Sequence, residues 1–365
     1  MRPGAPADRI AVLGTGAIGA PIGGLLTRAG RDVVLIDQWP EHVEAMRRDG
    51  LRVTIGSRAR PEAEPVVPVS AMHVSEVCTL RQPFDLVFLA CKSYDTRWMV
   101  ELIAPWLADG GVLVSVQNSL NEEWIAPIVG RDRVLAGVLT AGGELLAPGH
   151  AWRNRGMAAH YFTIGELDGQ PTRRLDDVAR ILRNAGVTST SSNVWGARWS
   201  KLITNTASAA LSGLVHPSRR EWDLVAEPAW AEASAALYRE GLQVAAALGQ
   251  SIEPLFGMRP DELLREPEEI VGRLMTAKAD GASEGATTMI QQDLQKGRPT
   301  EVTEYFNGLL VRKGREAGVE TPWNGAMVEL YRRIERGDLR QELANLALLE
   351  RLAAGGVATR EEVRA

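Results

Sequence analysis

The chain is predicted to be an α/β protein with a doubly wound parallel sheet in its N-terminal half and an all-α C-terminal half. Three observations carry that prediction. Residues 9–116 alternate short apolar runs with helical stretches. The first run ends in a glycine-rich turn that opens a helix. Beyond residue 193 strand signals vanish, and Ala, Leu, Glu and Arg dominate.

The elements follow in order. Arg9 to Leu13 is an apolar run ending in glycine, and Ala20 to Ala29 is a helix closed by Gly30. Asp32 to Ile36 is a second run, and Glu41 to Asp49 a helix closed by Gly50. Leu51 to Ile55, Leu86 to Ala90 and Val112 to Val116 are further strands. Continuous apolar runs suit strands buried on both faces, and strand–helix alternation implies right-handed crossovers. Val134 to Gly169, rich in glycine and β-branched residues, reads as strand and loop, and Val187 to Thr188 as a last strand. The polar stretch Ser189 to Asn193 offers N-caps for a helix near Val194. It marks a boundary between residues 1–192 and 193–365. Helices are then expected over Trp195–Leu214, Pro228–Leu248, Ile270–Gln295, Thr300–Ala317, Asn324–Arg336 and Leu339–Ala353.

Composition narrows the function classes. A length of 365 residues suits two domains of about 100–200 residues each. Hydrophobic content of 45% and charged content of 24% are those of a globular protein. With a net charge of −5 and no basic block, nucleic acid is not an expected partner. No stretch reaches the roughly 18 apolar residues of a membrane span, and the N-terminus lacks a signal-peptide core. Cys78 and Cys91 form no disulfide framework, which points to the cytoplasm, and Cys91 at the end of an apolar run reads as a buried small hydrophobe. The five histidines show no ligand spacing, so no metal is expected.

The turn Gly14-Thr15-Gly16-Ala17-Ile18-Gly19 carries the first chemistry. Gly14 permits the tight turn, Gly16 lets backbone approach a pyrophosphate, and Gly19 allows close helix–strand packing. Amides at the helix N-terminus then hold phosphate oxygens. The alternative is a structural turn without ligand. Asp37 lies 21 residues after Gly16, at the end of the second run, where an acid accepts hydrogen bonds from the adenosine ribose. Its carboxylate would repel a 2′-phosphate, so NAD(H) is expected in preference to NADP(H).

A carbonyl receiving hydride needs a proton donor, and an alcohol losing hydride needs a base. A desolvated lysine can serve as either. Lys201 and Asn205 are spaced i, i+4, on one face of the helix predicted to follow the nucleotide domain. A cleft between domains would lie there. The bland alternative is a snorkelling surface lysine.

Further segments recur along the chain. They are Cys91-Lys92-Ser93-Tyr94-Asp95-Thr96, Val116-Gln117-Asn118 and Ile164-Gly165-Glu166-Leu167-Asp168-Gly169. Trp199 to Asn205 and Gly297-Arg298-Pro299-Thr300-Glu301-Val302 come next, and Asn307-Gly308 follows. With the glycine-rich turn, their order and spacing resemble the ketopantoate reductase (2-dehydropantoate 2-reductase) family over nearly the whole chain. The resemblance implies a Rossmann-type domain followed by a helical domain of the 6-phosphogluconate-dehydrogenase-like kind. It implies an NAD(P)-dependent oxidoreductase acting on a C–OH/C=O pair of a small molecule, and a homodimer is an allowed assembly. It implies that Lys201 is the general acid and that Glu301 holds the substrate hydroxyl or the site geometry. Lys92 and Asn118 would lie along the cofactor, and Asn205 would hydrogen-bond substrate. Taken without the family, Lys92 is a polar residue at a strand end, and Glu301 a helix-start acid favoured by the dipole.

Two positions depart from the family pattern. A second asparagine is usual one helical turn after the first. Here it is Ala209, with Ser208 beside it. A serine is usual twelve residues before the glutamate. Here it is Met289, preceded by Thr287 and Thr288, and a one-residue shift would bring Thr288 into play. Apolar replacements weaken the grip on a polar substrate. The expected substrate is therefore a 2-oxo acid or ketone with a larger apolar part, or the matching secondary alcohol. Ketopantoate reduction proper is the alternative, and a non-catalytic dinucleotide-binding regulator a third. Residues 251–284 also look longer than in typical members.

Overall fold

The computed structural model describes residues 8–57, 60–63, 65–140, 142–217, 224, 227–255, 258–259, 261–262, 272 and 287–355. The chain divides into two compact units, Met1–Val194 and Trp195–Ala365.

The first unit is built on two sheets. Strands β1 (Arg9–Leu13), β2 (Asp32–Asp37), β6 (Ser70–His73), β7 (Phe84–Leu89), β8 (Leu107–Ser115), β9 (Val134–Leu139), β12 (His160–Glu166) and β13 (Val187–Thr190) form the larger. Their order is β13-β12-β9-β8-β7-β1-β2-β6, parallel at every neighbour except β9 and β12. The doubly wound expectation holds, with one antiparallel pair. Ile10, Val12, Leu35, Phe88 and Val114 lie in its core, fully shielded.

The strand expected at Leu51–Ile55 exists, as β3 (Leu51–Ser57), but it leaves this sheet. It pairs parallel with β11 (His150–Arg153) and antiparallel with β4 (Arg60–Ala63) and β5 (Val66–Val67), and β10 (Gly143–Ala147) pairs with β11. Its place beside β2 goes to β6, which the sequence did not announce. The reason is legible afterwards. Leu51-Arg52-Val53-Thr54-Ile55 alternates apolar and polar residues, the pattern of a sheet with one covered face.

Helix α1 (Gly19–Arg28) packs against both sheets. A Cβ on Gly23 would lie 2.0 Å from Leu35 of β2, and one on Gly24 would lie 3.0 Å from Leu51 of β3. Adjacent glycines cost an isolated helix about 0.5–1 kcal/mol each, and here they admit a layer on either side. Helices α2 (Pro40–Asp49), α3 (Thr96–Ile103), α4 (Glu122–Val129) and α5 (Arg173–Leu182) complete the unit. Cys91, expected in the core, is only half-buried, because it follows β7 into the loop beneath Gly14.

In the second unit the elements among the described residues are helices, besides one isolated bridge between Leu255 and Met258. Helix α6 (Val194–Thr204) runs into a π-helical turn (Asn205–Ala209) and then α7 (Ala210–Val215). The single α-helix expected over Trp195–Leu214 is therefore interrupted by a wider turn. Helix α8 (Pro228–Ala247) is central. It packs against the π turn and against α10 (Asn307–Ala317), α11 (Pro322–Arg336) and α12 (Asn345–Ala353). Of the helix expected over Ile270–Gln295, only α9 (Met289–Gln295) lies in a fully described stretch, and most of residues 251–284 falls outside the described residues. The helix expected from Thr300 begins at Asn307, since residues 301–306 form a turn instead. Among the described residues no helix is long and apolar enough to cross a membrane, and no cluster of side chains could hold a metal ion.

Candidate active site

The glycine-rich turn links β1 to α1, as its sequence context requires. Gly14 has φ +87°, and a Cβ there would meet the Cys91 backbone at 2.6 Å. A Cβ on Gly19 would sit 2.0 Å from the Gly14 carbonyl oxygen. Gly16 differs, with nothing within 4 Å of its missing side chain. Two glycines thus close the turn, and the third leaves open space over backbone at the start of a helix. A dinucleotide pyrophosphate needs that arrangement. The half-buried Ala17 and Ile18 span the turn between Gly16 and α1.

Asp37 ends β2 and reaches back to this turn. Its Oδ2 accepts the Thr15 N–H at 2.6 Å and the Thr15 hydroxyl at 2.9 Å. Its Oδ1 accepts the Trp39 N–H at 2.9 Å. A carboxylate offers about four acceptor positions, so capacity remains for a ribose hydroxyl. The Thr15 amide is thereby given to Asp37.

Beneath the turn lies a residue the sequence did not single out. His42 is fully buried, with Nε2 2.9 Å from the Thr15 carbonyl oxygen and Nδ1 2.9 Å from the Gly149 amide nitrogen. A backbone N–H must donate to Nδ1, so Nε2 carries the proton and donates to Thr15. Burial lowers the pKa of His42, and Asp37 and the Thr15 bond oppose that only partly. A lone histidine on a helix gives no sequence signal of this role.

Lys92 and Asn118 lie on loops that follow the neighbouring strands β7 and β8, and both are half-buried. Gln117 Nε2 donates to the Cys91 carbonyl at 3.0 Å and to the Thr96 hydroxyl at 2.8 Å. Asn121 Nδ2 donates to the Ser93 hydroxyl at 3.0 Å and to the Asn118 carbonyl at 2.7 Å. These two side chains stitch the Lys92 loop to the Asn118 loop. Ser119, next to Asn118, has φ +72° and is alone among described non-glycine residues in that conformation. Such strain clusters at ligand sites. Gln117 stands in a motif already noted, but its stitching role needs the fold.

In the second unit, Lys201 is half-buried on α6, and Asn205 is buried where the π turn begins. Ala209, buried, ends that turn. Thr288 caps α9. Its hydroxyl accepts the Gln291 N–H at 3.2 Å, while Gln291 Oε1 accepts the Thr288 N–H at 2.9 Å. Met289 is the first residue of α9 and is half-buried. Helix α9 packs on α7, where Ile290 faces Gly213 and Gln291 Nε2 donates to the His216 carbonyl at 2.8 Å. The Thr288 oxygen thus accepts one bond from its own helix, and its hydroxyl keeps a proton and a second lone pair.

Glu301 is not the helix-start acid that the sequence suggested. It is buried in the turn before α10, where its carbonyl accepts the N–H groups of Tyr305 and Phe306 at 2.9 and 2.8 Å. Thr300 beside it is anchored by Glu335 Oε1, through its N–H at 2.9 Å and its hydroxyl at 2.7 Å. A buried carboxylate on an anchored turn is placed by tertiary contacts rather than by a helix dipole.

Comparison with known proteins bears on these features. The ketopantoate reductase PanE/ApbA profile matches residues 10–169, and the PanE/ApbA C-terminal profile residues 193–335. A 2-dehydropantoate 2-reductase from Archaeoglobus fulgidus is 30% identical over 333 residues, covering 90% of this chain and 99% of that protein. Among solved structures, a PanE/ApbA family ketopantoate reductase from Ralstonia eutropha JMP134 matches with TM-score 0.72 and 29% identity, over 90% of this chain and 99% of that one. A D-mandelate dehydrogenase solved with NADH and anilino(oxo)acetate shares the fold, with TM-score 0.75, 22% identity and coverage of 90% and 99%. The chain binds a nicotinamide cofactor and acts as an oxidoreductase on a C–OH/C=O pair. From its two family domains and its full-length relatives, the chain belongs to the ketopantoate reductase family.

Proposed function

We propose that this protein interconverts a 2-oxo acid bearing a sizeable apolar group and the matching 2-hydroxy acid, with NAD(H) as the preferred cofactor. The observation that carries the proposal is the make-up of α6 and its π turn. A half-buried Lys201 and a buried Asn205 are retained, while Ala209 supplies no polar group. Met289, at the start of α9, is apolar as well.

When bound, the nicotinamide supplies or accepts the hydride. The chain's residues do the rest. Lys201 donates a proton to the forming alkoxide, or removes one from the alcohol in reverse. Asn205 hydrogen-bonds the substrate, and Glu301 holds the hydroxyl. The turn Gly14–Gly19 holds the pyrophosphate, and Lys92 and Asn118 lie along the nicotinamide side. Asp37 accepts from the adenosine ribose and disfavours a 2′-phosphate by charge repulsion. Ala209 leaves more room at the substrate wall, and Ala209 and Met289 make it less polar, which suits an aryl or branched alkyl group. The D-mandelate dehydrogenase of like fold, described with NADH and an aryl-bearing oxoacetate, supports this direction.

A second reading is ketopantoate reduction itself, favoured by the 30% identity to a 2-dehydropantoate 2-reductase over nearly the full chain. One experiment separates them. Initial rates are measured at the reduced-nicotinamide absorbance band with ketopantoate, 2-oxo-2-phenylacetate and branched 2-oxo acids, each with NADH and NADPH. The proposal expects higher kcat/KM for the bulkier acids with NADH. Highest kcat/KM for ketopantoate with NADPH would replace it with the second reading.

A further inference from the structure

We infer that Asn307 is a positioning residue, which sets the π-helical turn carrying Asn205 and through it the register of the Lys201 helix. The inference rests on the roles proposed above for Lys201 and Asn205, and it concerns a residue outside that set.

The π turn has an unusual bond pattern. The Ala210 N–H donates to the Asn205 carbonyl, five residues back. In an unbroken α-helix it would donate to Thr206. The Thr206 carbonyl therefore lacks that partner, deep in the helical unit, where Thr206 is fully buried. Asn307 Nδ2 supplies a replacement at 3.3 Å. Single π turns are rare and cluster at functional sites, because they hold a helix in a register that α geometry would not choose.

The orientation of the Asn307 amide is itself fixed. Its Nδ2 also donates to Asn324 Oδ1 at 2.9 Å. Asn324 Nδ2 in turn donates to Glu240 Oε2 at 2.7 Å, and Glu240 accepts the N–H groups of Trp323 and Asn324 at 2.8 and 2.9 Å. The chain therefore runs one way. The Glu240 carboxylate faces only donors, which turns the Asn324 oxygen outward, which turns the Asn307 NH₂ toward Thr206. Asn307 Oδ1 is buried without a partner among the described residues, so no acceptor role of Asn307 competes with that orientation. Asn307, Asn324 and Glu240 lie on three helices, α10, α11 and α8, that converge on the turn. Tyr331 of α11 adds a second hold by donating to the Ala210 carbonyl at 2.5 Å.

With Thr206 unpartnered, the turn would relax toward α geometry, and the residues on either side of it would rotate relative to each other. Misplacement by about 1 Å can slow catalysis 10²-fold. The test is Asn307→Asp in the full-length protein, nearly isosteric but, as a carboxylate, unable to donate to Thr206 or Asn324. Probes are ketopantoate and 2-oxo-2-phenylacetate with NADH, and rates are normalised to the folded fraction from circular dichroism. The expected result is a fall in kcat of about tenfold or more, with NADH affinity by fluorescence titration unchanged. Glu240→Gln, which keeps an acceptor but weakens the far end of the chain, should give a smaller fall of the same kind. It also serves if Asn307→Asp does not fold.

A normalised kcat equal to wild type in both variants, beside a Lys201→Ala variant that is inactive, overturns this inference alone. An active Lys201→Ala overturns the role proposed for Lys201 instead. A wild type inert with both probes overturns both.

Discussion

The Asp37 carboxylate accepts both the backbone N–H and the hydroxyl of Thr15, so the residue proposed to choose the cofactor also shapes the turn that holds it. A single oxygen, Oδ2, makes both bonds, and Oδ1 is shared with the Trp39 amide. Cofactor preference and loop integrity are therefore coupled at Asp37, and a substitution there should affect both.

For wild type, kcat/KM should be higher with NADH than with NADPH. Asp37→Asn should narrow that ratio by removing the charge, and should weaken NADH binding by about tenfold or more. Hydrogen bonds to charged groups contribute about 1.5–3 kcal/mol, so the melting temperature should fall as well. Steady-state kinetics with both cofactors and a thermal melt check this. A wild-type preference for NADPH would remove Asp37 as the selector.

Lys201→Ala should lower kcat by roughly 10²-fold or more while NADH still binds, since the variant loses only the proton donor. Fluorescence titration and single-turnover rates separate the two effects. Near-normal turnover would mean that another group moves the proton.

Ala209→Asn restores the polar side chain usual in the family and should raise kcat/KM for ketopantoate relative to 2-oxo-2-phenylacetate. Because Ala209 is buried in the π turn, some stability should be lost too. An unchanged substrate ratio would show that position 209 does not face substrate.

His42 gives a pH dependence of definite sign. Burial makes it less basic in the folded protein than the ordinary value of 6.5, so the folded state binds fewer protons. Its contribution to stability is whole above pH 6.5 and is lost as pH falls below that, toward the lower folded value. Protonation would force Nδ1 to present a proton to the Gly149 N–H, breaking the support beneath Thr15. Melting temperature and NADH affinity should both drop on the acid side. His42→Gln, which keeps a donor and an acceptor without titrating, should flatten that drop. An equal slope in the variant would assign the acid lability to other groups.

The sequence by itself determined the features that depend on local rules. The order Ile10-Ala11-Val12-Leu13, three glycines and a helix dictates a strand, a tight turn and a helix start, because each step follows from neighbouring backbone sterics. The change of composition near residue 193 marks where strands give way to helices, for the same reason. The tertiary structure decided what depends on distant partners. Leu51–Ser57 joined a second sheet because β11, a hundred residues on, offered its edge. Glu301 fell in a turn because Glu335 holds Thr300 from another helix. Helix α6 took a π turn where no local propensity asks for one. Its Thr206 carbonyl is met by Asn307, a hundred and one residues away, and only a packed interior can bring that donor to it.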